Sequence, residues 1–189
     1  MKKALLVVDV QPTFCEGGAL GVTGGNDTAQ GVADFLAAHA KDYDLVVSTQ
    51  DWHIEPGDHF SEHPDFVDTW PPHGVAGTPE AELHPLIADF PFDAQVRKGQ
   101  YAAAYSGFEG VTDDGRTLTE VLHKAAIDQV DVVGIALSHC VRDTALDSLH
   151  RGWPTTVFTD LSVPVSKELG DEAVALMAAE GVTLEHSPA

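Results

Sequence analysis

Val130-Asp131-Val132-Val133-Gly134-Ile135 is a β-branched, nearly uninterrupted apolar run, and a strand of that composition has no face to turn to water. It belongs inside a sheet covered on both sides. Further strand candidates lie at Ala4–Val10, Leu45–Thr49, Gln95–Lys98, Thr155–Thr159 and Val182–Glu185. Helical patterns separate them. Ala29–Ala40 follows the candidate caps Asn26, Asp27 and Thr28. Thr117-Leu118-Thr119-Glu120 is a capping box opening a helix to about Ala126. Val141, Ala145 and Leu149 recur every four residues and mark one apolar face, and Lys167–Glu180 reads as a last helix. Strands alternating with helices specify a parallel, right-handed α/β sheet with helices on both faces, whose ligands bind at the C-terminal strand ends beside the topological switch point. At 189 residues the chain is expected to be one domain, 1–189.

A formal net charge of -20, from 30 acidic residues against 10 basic ones, excludes the electrostatic footprint of a nucleic-acid binder. Two cysteines, Cys15 and Cys140, make no disulfide framework in a chain this long and suit a reducing compartment. Lys2-Lys3-Ala4-Leu5-Leu6-Val7-Val8 superficially resembles the start of a signal peptide, but Asp9 ends the apolar run below the length of an h-region. No stretch approaches membrane-spanning length. The expectation is a cytoplasmic protein without a nucleic-acid or membrane partner.

Cys140 falls where the Val130–Ile135 strand turns into a helix. Free N–H groups and the positive dipole end at such a start favour a thiolate and suit an oxyanion. Asp9 and Lys98 stand near the C-terminal ends of two other predicted strands, so three reactive side chains converge on one edge of the sheet. Between the second and third strands run about forty residues without sustained periodicity, and a loop that long is usually functional. It carries His53, His59, His63, His73 and His84, five of the ten histidines. Asp51 and His53, two residues apart in extended chain, point the same way. Prolyl loops bearing His59 and His73 are placed to add ligands. One carboxylate with two or three imidazoles suits zinc, iron(II) or manganese.

Taken together, Val7-Val8-Asp9-Val10-Gln11, Phe14-Cys15-Glu16-Gly17-Gly18, Asp51-Trp52-His53, Pro56-Gly57-Asp58-His59-Phe60, Trp70-Pro71-Pro72-His73, Gly77-Thr78-Pro79, Lys98-Gly99, Ala104-Tyr105-Ser106-Gly107-Phe108 and Gly134-Ile135-Ala136 through His139-Cys140-Val141 give a chain that resembles, nearly end to end, the nicotinamidase/pyrazinamidase branch of the isochorismatase-like cysteine hydrolases. The resemblance implies a single-domain Rossmann-like sandwich of about six parallel strands in the order 3-2-1-4-5-6. It implies Cys140 as nucleophile in a triad with Asp9 and Lys98, an oxyanion hole from the N–H groups of Ala136 and Cys140, and a cis peptide between Ile135 and Ala136. Phe14 and Trp70 match residues flanking a pyridine ring, Tyr105 and His139 match further substrate contacts, and Asp51, His53, His59 and His73 match ligands of one divalent iron, manganese or zinc ion. The implied reaction is hydrolysis of a small amide, nicotinamide or pyrazinamide, through a cysteine thioester in NAD salvage, by a monomer or small homo-oligomer. The chain departs from the usual pattern at Thr13, Gly74 and Leu137-Ser138, and the last pair borders the oxyanion loop, where it bears on rate and substrate range rather than reaction type. A metal-free carbamoyl amidase would share the triad but not the histidines, and an isochorismatase would not need Cys140. A metal-binding or carrier domain that retained the fold would not need an intact triad.

Overall fold

The apolar runs assemble side by side into one six-stranded sheet of order β3-β2-β1-β4-β5-β6, in a computed structural model that describes all 189 residues. The strands are β1 Lys3–Val8, β2 Leu45–Asp51, β3 Ala94–Lys98, β4 Gln129–Ile135, β5 Thr155–Val163 and β6 Thr183–Glu185, and every neighbouring pair is parallel. The helices are α1 Gly25–His39, α2 Leu118–Lys124, α3 Arg142–His150 and α4 Lys167–Glu180. β1 shows why its run lacks alternation: Ala4, Leu6 and Val8 join Leu122, Ala145 and Met177 in one core. Leu5 and Val7 join Val32, Phe35 and Leu36 of α1 in the other. Successive side chains point to opposite faces and both faces are covered, so every position is apolar. No helix is long and apolar enough to cross a membrane.

Several boundaries differ from the sequence reading for identifiable reasons. α1 begins at Gly25, so Asn26, Asp27 and Thr28 lie in its first turn and do not cap it. The cap comes from elsewhere. Glu16 accepts hydrogen bonds from the backbone N–H groups of Gly24 at 2.6 Å and Asn26 at 2.8 Å, satisfying orphan donors from a preceding loop. β1 stops at Val8, and Asp9 adopts φ 49°, a left-handed conformation that Asp tolerates better than most residues. β2 runs on to Asp51, because Asp51 pairs with Lys98 of β3. β5 continues to Val163 across a register shift opposite Val132 and Gly134. α2 ends at Lys124. The chain does not pass from β4 directly into an α-helix: Leu137–Val141 form a π-helical turn before α3.

Gly134 sits where β4 passes β1, with φ 130°, and a Cβ there would lie 2.0 Å from the carbonyl oxygen of Val8. Both the dihedral and the clearance demand glycine. Gly134→Ala is therefore expected to lower the unfolding free energy by about 3 kcal/mol or more, read from the urea midpoint followed by circular dichroism. An unchanged midpoint would refute this account of the β1–β4 approach.

Candidate active site

Strand order brings the ends of β3, β2, β1 and β4 into one row, and the polar residues there are buried. Asp9 follows β1, Asp51 and Lys98 end β2 and β3, and Cys140 lies in the π-helical turn after β4. Lys98 is 1% exposed and Asp9 fully enclosed. The Lys98 Nζ lies 2.8 Å from Asp9 Oδ2 and 3.7 Å from Cys140 Sγ, and it forms an ion pair with Asp51 Oδ1. Thr49 Oγ1 donates to Asp9 Oδ1 at 2.7 Å. One ammonium thus serves two carboxylates and a thiol.

Electrostatics follow from that sharing. Burial would lower Lys98, but Asp51 and Asp9 hold it well above its ordinary value, so it stays charged. Burial raises Asp9 and Lys98 draws it back only in part, leaving a carboxylate more basic than usual. Burial would also raise Asp51, but the Lys98 ammonium beside it holds it well below the carboxylate range. Cys140 corrects the expectation of a thiolate favoured by a helix start. Burial pushes its thiol well up, Lys98 opposes, and the charges of Asp9 and Asp51 add to the rise. The resting sulfur is a thiol, and chemistry there requires a base.

The second oxygen of Asp51 faces the histidines. Asp51 Oδ2 is 3.3 Å from His53 Nε2 and 3.5 Å from His73 Nε2, and His53, His59 and His73, all buried, bring candidate ligand atoms within 4.8 Å of one another. His53 Nδ1 donates to Gly99 O at 2.6 Å and His73 Nδ1 to Pro71 O at 2.8 Å, so each ring is held from behind with Nε2 turned toward Asp51 and the cluster, as in ligating imidazoles. Burial and the neighbouring histidines lower His59 to about 4, which keeps its ring neutral. His53 Nε2 and His59 Nδ1 have no hydrogen-bond partner. Two buried carboxylates against one buried ammonium leave an uncompensated negative charge beside three imidazoles. A divalent cation fits that deficit. His63 is exposed and His84 pairs with Asn26 at 3.1 Å, so neither joins the cluster.

Above these groups lies a cavity walled mainly by apolar and aromatic side chains, with a few polar groups at its floor, the composition of a small-molecule site. Phe14, Trp70, Tyr105, His139, Ala136 and Cys140 all line it. Trp70 Nε1 donates to Tyr105 Oη at 3.0 Å, and the Ile135–Ala136 peptide is cis. Leu20, Val22 and Val165 add apolar walls that sequence reading did not single out. Gln11 was missed as well. Its side chain donates to Asp51 O at 2.9 Å and accepts from Asp51 N at 2.9 Å, pinning that residue from β1's end, a role that its place in the Val7–Gln11 stretch does not specify. Cys15 is buried behind Phe14 and Val22 and does not line the cavity, and its thiol is raised to about 11 by burial and Glu16.

An isochorismatase domain model matches residues 3–187. A nicotinamidase/pyrazinamidase of Mycobacterium tuberculosis is 49% identical over 182 residues, 96% of this chain and 97% of its own length. A nicotinamidase of Escherichia coli is 35% identical over 205 residues, 96% of this chain and 93% of its own. The crystal structure of a pyrazinamidase of Pyrococcus horikoshii in complex with zinc superposes with a TM-score of 0.83 at 34% identity, covering 99% of this chain and 100% of that one.

His53→Ala is expected to reduce the metal content of purified protein by at least about tenfold, because it removes one of three clustered imidazoles and losing even an outer-shell partner of such ligands typically costs about 10- to 100-fold in affinity. Elemental analysis of dialysed protein reads it directly. Undiminished metal content would exclude His53 as a ligand.

Proposed function

The chain belongs to the isochorismatase-domain family, and on that premise we propose that it is a nicotinamidase, a cysteine amidohydrolase converting nicotinamide to nicotinate and ammonia and pyrazinamide to pyrazinoate in NAD salvage. Residues 1–189 act as one hydrolase domain. The observation that carries the reading is the shared Lys98: one buried ammonium joins Asp9 and Cys140 to Asp51 and its three histidines. Two unpaired cysteines support a reducing, cytoplasmic setting.

In this mechanism the substrate ring enters between Phe14 and Trp70, against Tyr105 and His139, with its carboxamide over Cys140. Such seating converts ring binding into near-attack geometry. Asp9, raised by burial, takes the Cys140 proton while Lys98 balances the charge. Sγ attacks the carboxamide carbon, and the oxyanion is held by the N–H groups of Ala136 and Cys140, each such donor being typically worth about 3 kcal/mol of barrier. Asp9 returns the proton to the leaving nitrogen and the C–N bond breaks, releasing ammonia. Water, losing a proton to Asp9, then attacks the thioester, and the C–S bond breaks to give nicotinate and the free thiol. Asp51, His53, His59 and His73 would hold one iron, manganese or zinc ion, which when bound supplies Lewis acidity and open positions for a ring nitrogen and water.

Cys140→Ala and Asp9→Asn should each lower ammonia release from nicotinamide by at least about 10³-fold, with unchanged far-ultraviolet circular dichroism, whereas Cys15→Ala should remain active. A Cys15→Ala variant as inactive as Cys140→Ala would reassign the nucleophile. Across an amide panel, nicotinamide and pyrazinamide should be hydrolysed at least about tenfold faster than benzamide, which lacks the ring nitrogen. Thorough chelation should abolish turnover. Equal rates for benzamide, or turnover indifferent to chelation, would move the metal out of the substrate site.

A further inference from the structure

Ser138 immediately precedes the His139-Cys140 pair and is 1% exposed, yet it makes only polar contacts with two groups outside itself. Its Oγ accepts from the backbone N–H of Val165 at 3.1 Å and lies 2.9 Å from His139 Nδ1. An N–H cannot receive the hydroxyl hydrogen, so Nδ1 is the sole acceptor in reach. Were Nδ1 protonated, a buried O–H would be left without a partner, at a cost of about 1–3 kcal/mol. The hydroxyl therefore donates to a bare Nδ1, and the imidazole hydrogen belongs on Nε2.

The other edge of the ring faces differently. His139 is half-buried and lines the cavity beside Cys140 and Trp70, whose ring centroid lies 5.8 Å away at 84°, and no protein group hydrogen-bonds to His139 Nε2. Burial also lowers the His139 pKa, which keeps the ring neutral. We propose that Ser138 is a positioning residue that fixes His139 as the neutral Nε2–H tautomer, so that the cavity wall beside the nucleophile offers the substrate one N–H donor and no acceptor. The site then selects ligands that carry a lone pair at that point. By accepting from Val165 N–H, the same hydroxyl ties the cavity's Val165 wall to the nucleophile turn. The tautomer rests on geometry alone, whereas its use in substrate recognition rests on the amidohydrolase reading.

The test separates the two. In zinc-loaded, full-length protein with ¹⁵N-labelled histidine, the His139 resonance, assigned by its loss in His139→Gln, should show a bare Nδ1 and a protonated Nε2 at neutral pH. A protonated Nδ1, or a doubly protonated ring, would overturn the proposal. Ser138→Ala should release the tautomer into a mixture and raise KM for nicotinamide by roughly 3- to 10-fold, more than it lowers kcat, while Ser138→Thr, which keeps the hydroxyl, should restore both. An unaltered tautomer and KM in Ser138→Ala would defeat the role of Ser138. If the alanine variant fails to fold, the wild-type spectrum still decides the tautomer, and Ser138→Thr must reproduce it. A fixed Nε2–H form in a protein that hydrolyses no amide would uphold the tautomer and strike the substrate reading.

Discussion

The Lys98 ammonium holds this active site together. It is buried, as are both carboxylates it touches, and removing one partner from such a pair typically costs about 3–5 kcal/mol because the remaining charge is stranded. Asp9 and Asp51 follow or end strands flanking one another in the sheet, and Lys98 ends the next strand out. Two like charges this close are tolerable only with a cation between them. The same ammonium thereby couples the thiol to the histidine cluster: perturbing Asp51 alters the field at Asp9, and through it the proton on Cys140. The Cys140 thiol and the histidine cluster share one buried charge balance.

That balance explains why the site is so heavily supported from behind. Gln11 clamps Asp51 by both backbone groups, Thr49 holds Asp9, and the Gly99 carbonyl orients His53. At Gly99 a Cβ would come within 2.5 Å of the His53 ring, so glycine there lets the backbone approach closely enough to fix the imidazole. Each support removes a rotamer or a tautomer that would misplace a charge. Ser138 does the equivalent work on the cavity side, where its one hydrogen decides which edge of His139 is a donor. The apolar walls from Leu20, Val22 and Val165 keep the dielectric low, which strengthens every charge interaction beneath them.

The strands were legible because burial on both faces writes itself into composition, as in Val130–Ile135 and Ala4–Val8. Helix α4 was legible to the residue, since Ser166 caps it locally and Gly181 ends it in a left-handed turn. α1 was misread at its start because Glu16, a non-local residue, supplies the cap that Asn26, Asp27 and Thr28 resembled. The π-helical turn at Leu137–Val141 left no trace in the period of the apolar residues. It placed Cys140 inside a turn packed against the core rather than at an open helix end, and its thiol is consequently raised instead of lowered.

By itself, the amino-acid sequence determined a parallel α/β sheet and the residue types available to it, because strand burial and helix amphipathicity are local properties of the chain. It also marked Asp9, Lys98, Cys140 and the Asp51–His73 segment as candidates, since reactive side chains at strand ends and in a long prolyl loop are visible in one dimension. Only the tertiary structure decided that Lys98 bridges Asp9 and Asp51, that His53, His59 and His73 converge while His63 and His84 do not, and that Ser138 Oγ lies between His139 Nδ1 and the Val165 N–H. Those outcomes depend on distances of a few ångströms between residues far apart in the chain, and on burial that turns such distances into charge states.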